Sequence, residues 1–204
     1  MVYVKVKRLI DIVLSVIGFT ILLPLLLITA VVIKLESKGP VIFQQERLGL
    51  NGKVFKIYKF RSMCEGAEKE GVYSCKGDMR VTKVGKFIRA TSIDEFPQLI
   101  NILKGDMSII GPRPTLTYHP WTFDEYTEEQ KKRFSVRPGI TGWAQVNGRK
   151  DVPWNKRLEY DVEYVENLSL KFDVKIFFRT FIKVLTMQNS VNVGETAEQK
   201  KIDA

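Results

Sequence analysis

The chain has a single histidine, His119, and two cysteines, Cys64 and Cys75. One imidazole excludes a histidine-rich metal centre, and the two thiols stand at no recognisable zinc or redox spacing. They are expected as free thiols in a reducing compartment. No stretch carries the glycine fingerprint of a dinucleotide-binding strand–turn–helix, so a Rossmann domain is not expected. There is no internal repeat and no low-complexity tract. Acidic residues are in deficit: 23 Asp and Glu against 32 Lys and Arg leave a net charge of +9. That excess points to an anionic partner, which is nucleic acid, lipid headgroups or a phosphorylated substrate.

Long apolar runs are confined to one place. Leu9 to Ile33 is interrupted only by Asp11, Ser15, Thr20 and Thr29. Its length of about 25 residues suffices to cross a bilayer as a helix. A cleaved signal peptide is not expected, because the run is too long and no small-residue cleavage site precedes Lys34. Pro24 sits mid-run and removes a backbone hydrogen bond. Lys5, Lys7 and Arg8 flank one end, and Lys34 and Lys38 the other. Basic flanks favour the cytoplasmic side. Both flanks obey that rule only if the segment bends near Pro24 and returns to the face it entered. Two readings are open on these residues: a re-entrant helical hairpin, or a single-pass anchor with a tolerated kink. The remaining residues, about 165, suffice for a core.

Val41 to Arg61 reads as a β-hairpin turning at Asn51-Gly52. Phe55, Ile57 and Phe60 are expected to face the core, with a bulge or strand end near Lys56 to Lys59. Lys59 and Arg61 read as solvated surface on the hairpin alone. Residues 62–80 read as a loop, either an active-site flap or plain surface. Thr82 to Ala90 reads as a helix with Val84, Phe87 and Ile88 on one face, followed by Arg89.

Thr91-Ser92-Ile93-Asp94-Glu95-Phe96-Pro97-Gln98-Leu99 then leads towards Lys104-Gly105, a helix stop. Phe96, Leu99, Ile100 and Leu103 repeat at i, i+3, i+4, i+7, so they predict one buried helix face. Ser92-x-x-Glu95 fits a capping box, in which both side chains serve the backbone. Pro97 conflicts with a start at Ser92, and a later start at Ile93 or Asp94 frees Glu95. Either way Asp94 lies at a helix mouth, where phosphate is also favoured.

Pro112-Arg113-Pro114 holds one arginine between two fixed φ angles. A turn needs no arginine there, whereas recognition of phosphate or carboxylate gains from a stiff guanidinium. Trp121 to Phe134 reads as a charged surface segment, with a helix start at Thr127 to Gln130. Val136 to Arg149 is glycine-rich and carries Arg137 and Arg149. It is either a ligand-approaching backbone or a set of tight turns. Tyr160, Asp161 and Tyr164 lie on a helix expected from Pro153 to Val165. Phe172 to Leu185 is amphipathic. Phe178, Phe181, Ile182 and Leu185 oppose Lys175, Arg179 and Lys183, as suits either an anionic membrane interface or a core-packed helix. The tail from Gln188 is polar.

These stretches together resemble a known family. Phe-Lys-Ile-Tyr-Lys-Phe-Arg, Thr-Ser-Ile-Asp-Glu-Phe-Pro-Gln-Leu, Leu-Lys-Gly-Asp-Met-Ser-Ile-Ile-Gly-Pro-Arg-Pro and Val-Arg-Pro-Gly-Ile-Thr-Gly-Trp-Ala-Gln-Val-Asn-Gly-Arg occur in that order. The chain is similar to the monotopic phosphoglycosyl transferases, the bacterial sugar transferase family, in their short form. The resemblance covers residues 1–185. It implies transfer of a phosphosugar from a UDP-sugar to polyprenyl (undecaprenyl) phosphate, giving a polyprenyl diphosphate sugar and UMP. That is the first membrane step of bacterial glycoconjugate synthesis.

The resemblance further implies Asp94 and Glu95 as the catalytic pair, with Asp94 the nucleophile of a covalent aspartyl-phosphosugar intermediate. It implies Mg2+ as cofactor, with Asp94 and, more weakly, Asp161 as metal residues. Lys59, Arg89, Arg113 and Arg149 become phosphate-facing cations. The membrane hairpin breaks at Pro24 and keeps the site at the cytoplasmic face of the inner membrane. The expected fold is α/β, a small sheet surrounded by helices with interfacial amphipathic helices. Residues 1–38 form the anchor, 39–187 the catalytic domain and 188–204 a tail. Membrane lipids are expected partners and nucleic acid is not. A nucleic-acid module would account for charge and anchor but not for the carboxylate pair, and no recognition helix is evident.

Overall fold

The structure, a computed structural model, describes residues 2–67, 71, 78–148 and 152–185. Arg149, the tail from 188 and most of the 68–77 stretch lie outside those residues.

The apolar run forms one helix, α1 (Val2–Glu36), with Pro24 inside it. It lies against the rest of the chain along its length. Near its start Lys7 Nζ donates to Asp173 Oδ2 at 2.8 Å, and Arg8 NH1 to the Ile102 carbonyl at 2.7 Å. Asp11 is buried, accepting from Ser108 Oγ and the Ile109 N–H. Further along, Leu26 and Ile33 pack with Phe60, Ile88 and Ile93. At the far end Glu36 Oε1 accepts from the Val84 N–H, and Arg61 NH2 donates to the Ser37 carbonyl at 2.7 Å. Arg61 is therefore buried and structural rather than solvated.

The hairpin forms as β1 (Ile42–Leu48) and β2 (Val54–Phe60), antiparallel, with Asn51 and Gly52 both at positive φ in the turn. The pairing runs without a slip from Ile42–Phe60 to Leu48–Val54. Of the two alternatives, the strand ends at Phe60 and no bulge forms: Ile57 and Phe60 point to opposite faces, and both faces are covered there. Ile57 meets Leu99, Ile102 and Met107, while Phe60 meets the α1 side chains.

Helix α2 (Lys83–Ala90) is capped by Thr82 Oγ1, which accepts from the Gly85 N–H. Of the apolar face, Ile88 is buried and Val84 packs beside it, while Phe87 is exposed. The next helix, α3 (Gln98–Lys104), starts later than expected, after Pro97, and closes on Gly105 at φ 96°. Its buried residues are Gln98, Leu99, Asn101 and Ile102, whereas Ile100 and Leu103 are each 39% exposed. The anticipated face is thus rotated. Asn101 explains the docking: its Nδ2 donates to the Lys56 carbonyl at 2.7 Å and its Oδ1 accepts from the Tyr58 N–H at 3.0 Å. One amide side chain thereby serves the free edge of β2 as a strand would.

A second sheet pairs β3 (Ser108–Ile110) in parallel with β4 (Gly139–Thr141). Gly111 and Gly139 permit this closeness, since a Cβ on Gly139 would stand 2.1 Å from the Gly111 nitrogen. The glycines here serve backbone-to-backbone contact. Trp121 to Phe134 is largely surface, as expected, but it anchors itself through Tyr126 and Phe134, which are buried with Leu48 and Leu158, and through the buried Arg133. They flank the short helix α4 (Glu128–Lys131), which Thr127 and Gln130 open with a capping box.

Helix α5 (Trp143–Val146) and helix α6 (Trp154–Glu166) follow. The chain ends its described part in α7 (Leu170–Leu185). The α7 face of Phe178, Phe181 and Ile182 is exposed, Phe178 at 60%, so it is not core-packed. Lys175 and Arg179 stack over the Trp143 ring at 4.8 and 5.0 Å. The fold is mixed, helical with two small sheets, and carries a long N-terminal apolar helix.

Candidate active site

Between α2 and α3 the chain makes a 3-10 turn, Ile93–Glu95. Ser92, just before it, is left-handed at φ 60° and caps nothing with its side chain. Such a conformation is uncommon outside glycine and asparagine. The capping box is therefore absent, and Glu95 is released from backbone duty. Asn101 holds α3 on β2, which brings the turn over Lys59. Glu95 Oε1 accepts from Lys59 Nζ at 3.0 Å and from Arg113 NH2 at 2.6 Å.

Lys59, Arg89, Asp94, Glu95, Arg113 and Asp161, drawn from stretches far apart in sequence, line one cleft of about 550 Å3. Among the described residues its wall carries eight Lys or Arg side chains and four carboxylates. A low-dielectric cleft of that balance concentrates anions. Arg89 lowers the Asp94 pKa by its charge, without an ion pair between them in the described contacts. Asp161 is not at the surface: its Oδ2 accepts from Arg133 Nε at 3.0 Å and NH2 at 2.8 Å, and both side chains are buried. Its Oδ1 has no hydrogen-bond partner. Pro24 stands on α1 and takes no part in the cleft wall.

The neighbouring carboxylates differ in charge state. Burial raises the Asp94 carboxyl, and the Glu95 charge raises it further, to about 6 despite Lys59, Arg89 and Arg113. Burial would raise Glu95 too, but Arg113 and Lys59 outweigh it and hold Glu95 well below the usual range. Burial lowers the Lys59 ammonium against the pull of Glu95, while Glu95 raises Arg113. Glu95 is thus a fixed anion, and Asp94 a strained one that gains most from a new positive or phosphoryl partner.

Among the described residues no three His, Cys, Asp or Glu side chains gather as a metal cage. Glu95 already holds two cations and Asp161 one, which leaves Asp94 and Glu65 as the cleft carboxylates with no ion pair among the described residues, and of these Asp94 adjoins Glu95. That donor set fits a hard divalent ion taking one protein carboxylate and completing its shell with water and phosphate oxygens.

Sequence reasoning missed Arg47, Arg133 and Asn101. Arg47, on β1, donates to the Pro114 carbonyl and lines the cleft. Arg133 lies in a stretch that reads as surface. Asn101 carried no signal beyond its presence in an otherwise apolar helix.

Comparison with known proteins places this geometry in context. The family model described as bacterial sugar transferase matches residues 2–187. A UDP-N-acetylgalactosamine-undecaprenyl-phosphate N-acetylgalactosaminephosphotransferase of Aeromonas hydrophila is 48% identical over 91% of the chain and 45% of its own length. An uncharacterized sugar transferase of Bacillus subtilis (strain 168) is 45% identical over 89% of the chain and 88% of its own length. A UDP-glucose:undecaprenyl-phosphate glucose-1-phosphate transferase of Escherichia coli (strain K12) is 45% identical over 87% of the chain. The chain spans 39% of that relative, so it matches less than half of two of these three proteins.

Proposed function

Because the chain belongs to the bacterial sugar transferase family, we propose that it moves a phosphosugar from a UDP-sugar to undecaprenyl phosphate or a similar polyprenyl phosphate. The observation that carries the reading is the Asp94–Glu95 pair: one carboxylate neutralised by Lys59 and Arg113, its neighbour half-buried and unpaired, in a cationic cleft. A nucleophilic carboxylate must approach a diphosphate of like charge, and the surrounding cations offset that repulsion.

An Asp94 carboxylate oxygen attacks the sugar-bearing phosphorus. The bridging P–O bond breaks, and its electron pair departs on UMP. An oxygen of the polyprenyl phosphate then attacks the same phosphorus and the Asp94 carboxylate leaves, giving the polyprenyl diphosphate sugar. Arg113 and Arg89 face the phosphoryl oxygens; Lys59 and Glu95 fix one another and the electrostatics around Asp94. Bound Mg2+, held by Asp94, would neutralise charge on the diphosphate.

We propose further that α1 enters the bilayer and returns to the same cytoplasmic face, with its bend at Pro24. A plain span leaves one end on each side of about 30 Å of hydrocarbon. Here Lys7 and Arg8 bond the catalytic unit near one end, and Glu36 and Ser37 bond it at the other. That supports both ends lying with the domain. The exposed apolar face of α7 suits the same interface, so the cleft lies where a lipid phosphate and a cytosolic nucleotide sugar meet.

The test is nucleotide release. With UDP-sugar and polyprenyl phosphate the protein is expected to release UMP, not UDP, and Asp94→Asn to lower that rate by at least about 1000-fold while remaining folded. UDP release, or near-normal turnover in that variant, contradicts the reading.

A further inference from the structure

The segment that presents Arg113 is deprived of donors by its own sequence. Pro112 and Pro114 have no N–H, so neither joins a backbone ladder as a donor. The segment is held instead through its carbonyls. Pro112 O accepts from the Gly139 N–H at 2.9 Å, and Thr115 O from the Leu48 N–H at 3.0 Å. The two carbonyls between them are taken by arginine side chains: Arg113 O by Arg133 NH2 at 2.7 Å, and Pro114 O by Arg47 NH1 at 3.3 Å.

Arg133 is committed elsewhere as well. Its Nε and NH2 both donate to Asp161 Oδ2, and its side chain is 2% exposed. Arg133 borders the cleft, but a guanidinium this enclosed offers a substrate almost no surface. The pair is neutral overall, so its removal changes the charge of the cleft little. Burying an ion pair gives weak stability relative to well-packed apolar groups. What the pair supplies is geometry: the planar fork reaches a carboxylate and a carbonyl at once, which a point-charge ammonium does less well.

We infer that Arg133 and Asp161 are positioning residues, which aim the Arg113 guanidinium into the cleft by holding its backbone carbonyl. The chain of contacts runs from Asp161 to Arg133, to the Arg113 carbonyl, and from the Arg113 guanidinium to Glu95. Asp161 acts through Arg113, not on the ligand. The inference rests on the reading that the cleft takes a diphosphate.

The test is a binding cycle on the full chain in detergent micelles, with inorganic diphosphate as the probe and calorimetry as the readout. Four proteins are compared: wild type, Arg113→Ala, the double variant Arg133→Gln/Asp161→Asn, and the three substitutions together. Removing both partners leaves no lone buried charge, so the double variant is expected to fold, as its melting curve checks. Arg133→Lys, which keeps the buried charge, serves as a second version of the same lesion. Arg113→Ala and the pair variant are each expected to weaken binding about tenfold, with the combined protein within about twofold of Arg113→Ala alone. Losses that multiply overturn the inference, as does wild-type affinity in the pair variant. Wild-type protein that binds no diphosphate overturns the reading of the cleft and the inference together, whereas UMP release by wild type tests the reaction separately.

Discussion

At residue scale, the proposed chemistry turns on Lys59 and Arg113 sharing one oxygen of Glu95 while Asp94 has neither. Asp94, ordinarily at 3.8, is raised to about 6, burial being the main cause. The nucleophile proposed for Asp94 must be ionised, so the proposed UMP release should fall as pH drops through about 6. The same shift has a stability consequence of defined sign. The folded state binds this proton more tightly than the unfolded chain does. The stabilisation is therefore complete below about 4 and is lost as pH rises through about 6. Asp94→Asn is expected to raise the melting temperature at pH 7.5 by about 5 °C, with the gain disappearing near pH 4. An unchanged or lowered melting temperature at pH 7.5 would show that Asp94 is not penalised by its setting. The carboxylate pair and the proline-bracketed arginine were legible in the sequence because each is chemically conspicuous. Glu95 was ambiguous, since the cap depends on the Ser92 dihedral, which spacing does not report. Arg61 read as surface, and the Arg133 partner of Asp161 went unseen, because the paired positions lie 24 and 28 residues apart.

At the scale of elements, α3 is the lever that sets the site. Asn101 docks it on the edge of β2, and that docking puts Glu95 over Lys59. Asn101→Ala would orphan the Tyr58 N–H and the Lys56 carbonyl, at a cost of about 2–4 kcal/mol. The expected outcome is a melting temperature lower by about 5–10 °C with UMP release falling in parallel, since the pair that depends on the docking loosens too. A stable variant with full activity would contradict this. The hairpin and the helix ends were read correctly from Asn51-Gly52, Thr82 and Gly105, because turn and cap residues act locally. The buried face of α3 was not, and the apolar face of α2 is buried only in part. Phe87, Ile100 and Leu103 carry the same hydropathy as core residues, and periodicity cannot separate an apolar side chain facing the core from one on an apolar outer surface. Of the bulge or strand end expected near Lys56 to Lys59, the strand end forms at Phe60, and Ile57 and Phe60 are out of phase because both faces of the strand are covered.

At the scale of the whole molecule, the long helix and the catalytic unit behave as one body. Contacts near both ends of α1 tie it to the same unit. Cysteines introduced at the exposed positions Lys5 and Lys38, in a background lacking Cys64 and Cys75, should both react with an impermeant reagent from the same side of the membrane. Labelling from opposite sides would establish a plain span. Sequence left these topologies level, because helix length and flanking charge are shared by both.

The measurement closest to the central claim is the intact mass of the protein after mixing with UDP-sugar and Mg2+ in the absence of polyprenyl phosphate. The account predicts a population heavier by one sugar phosphate, attached at Asp94, absent from Asp94→Asn, and discharged when the lipid acceptor is added. A protein that forms product under matched conditions yet never gains that mass would contradict it.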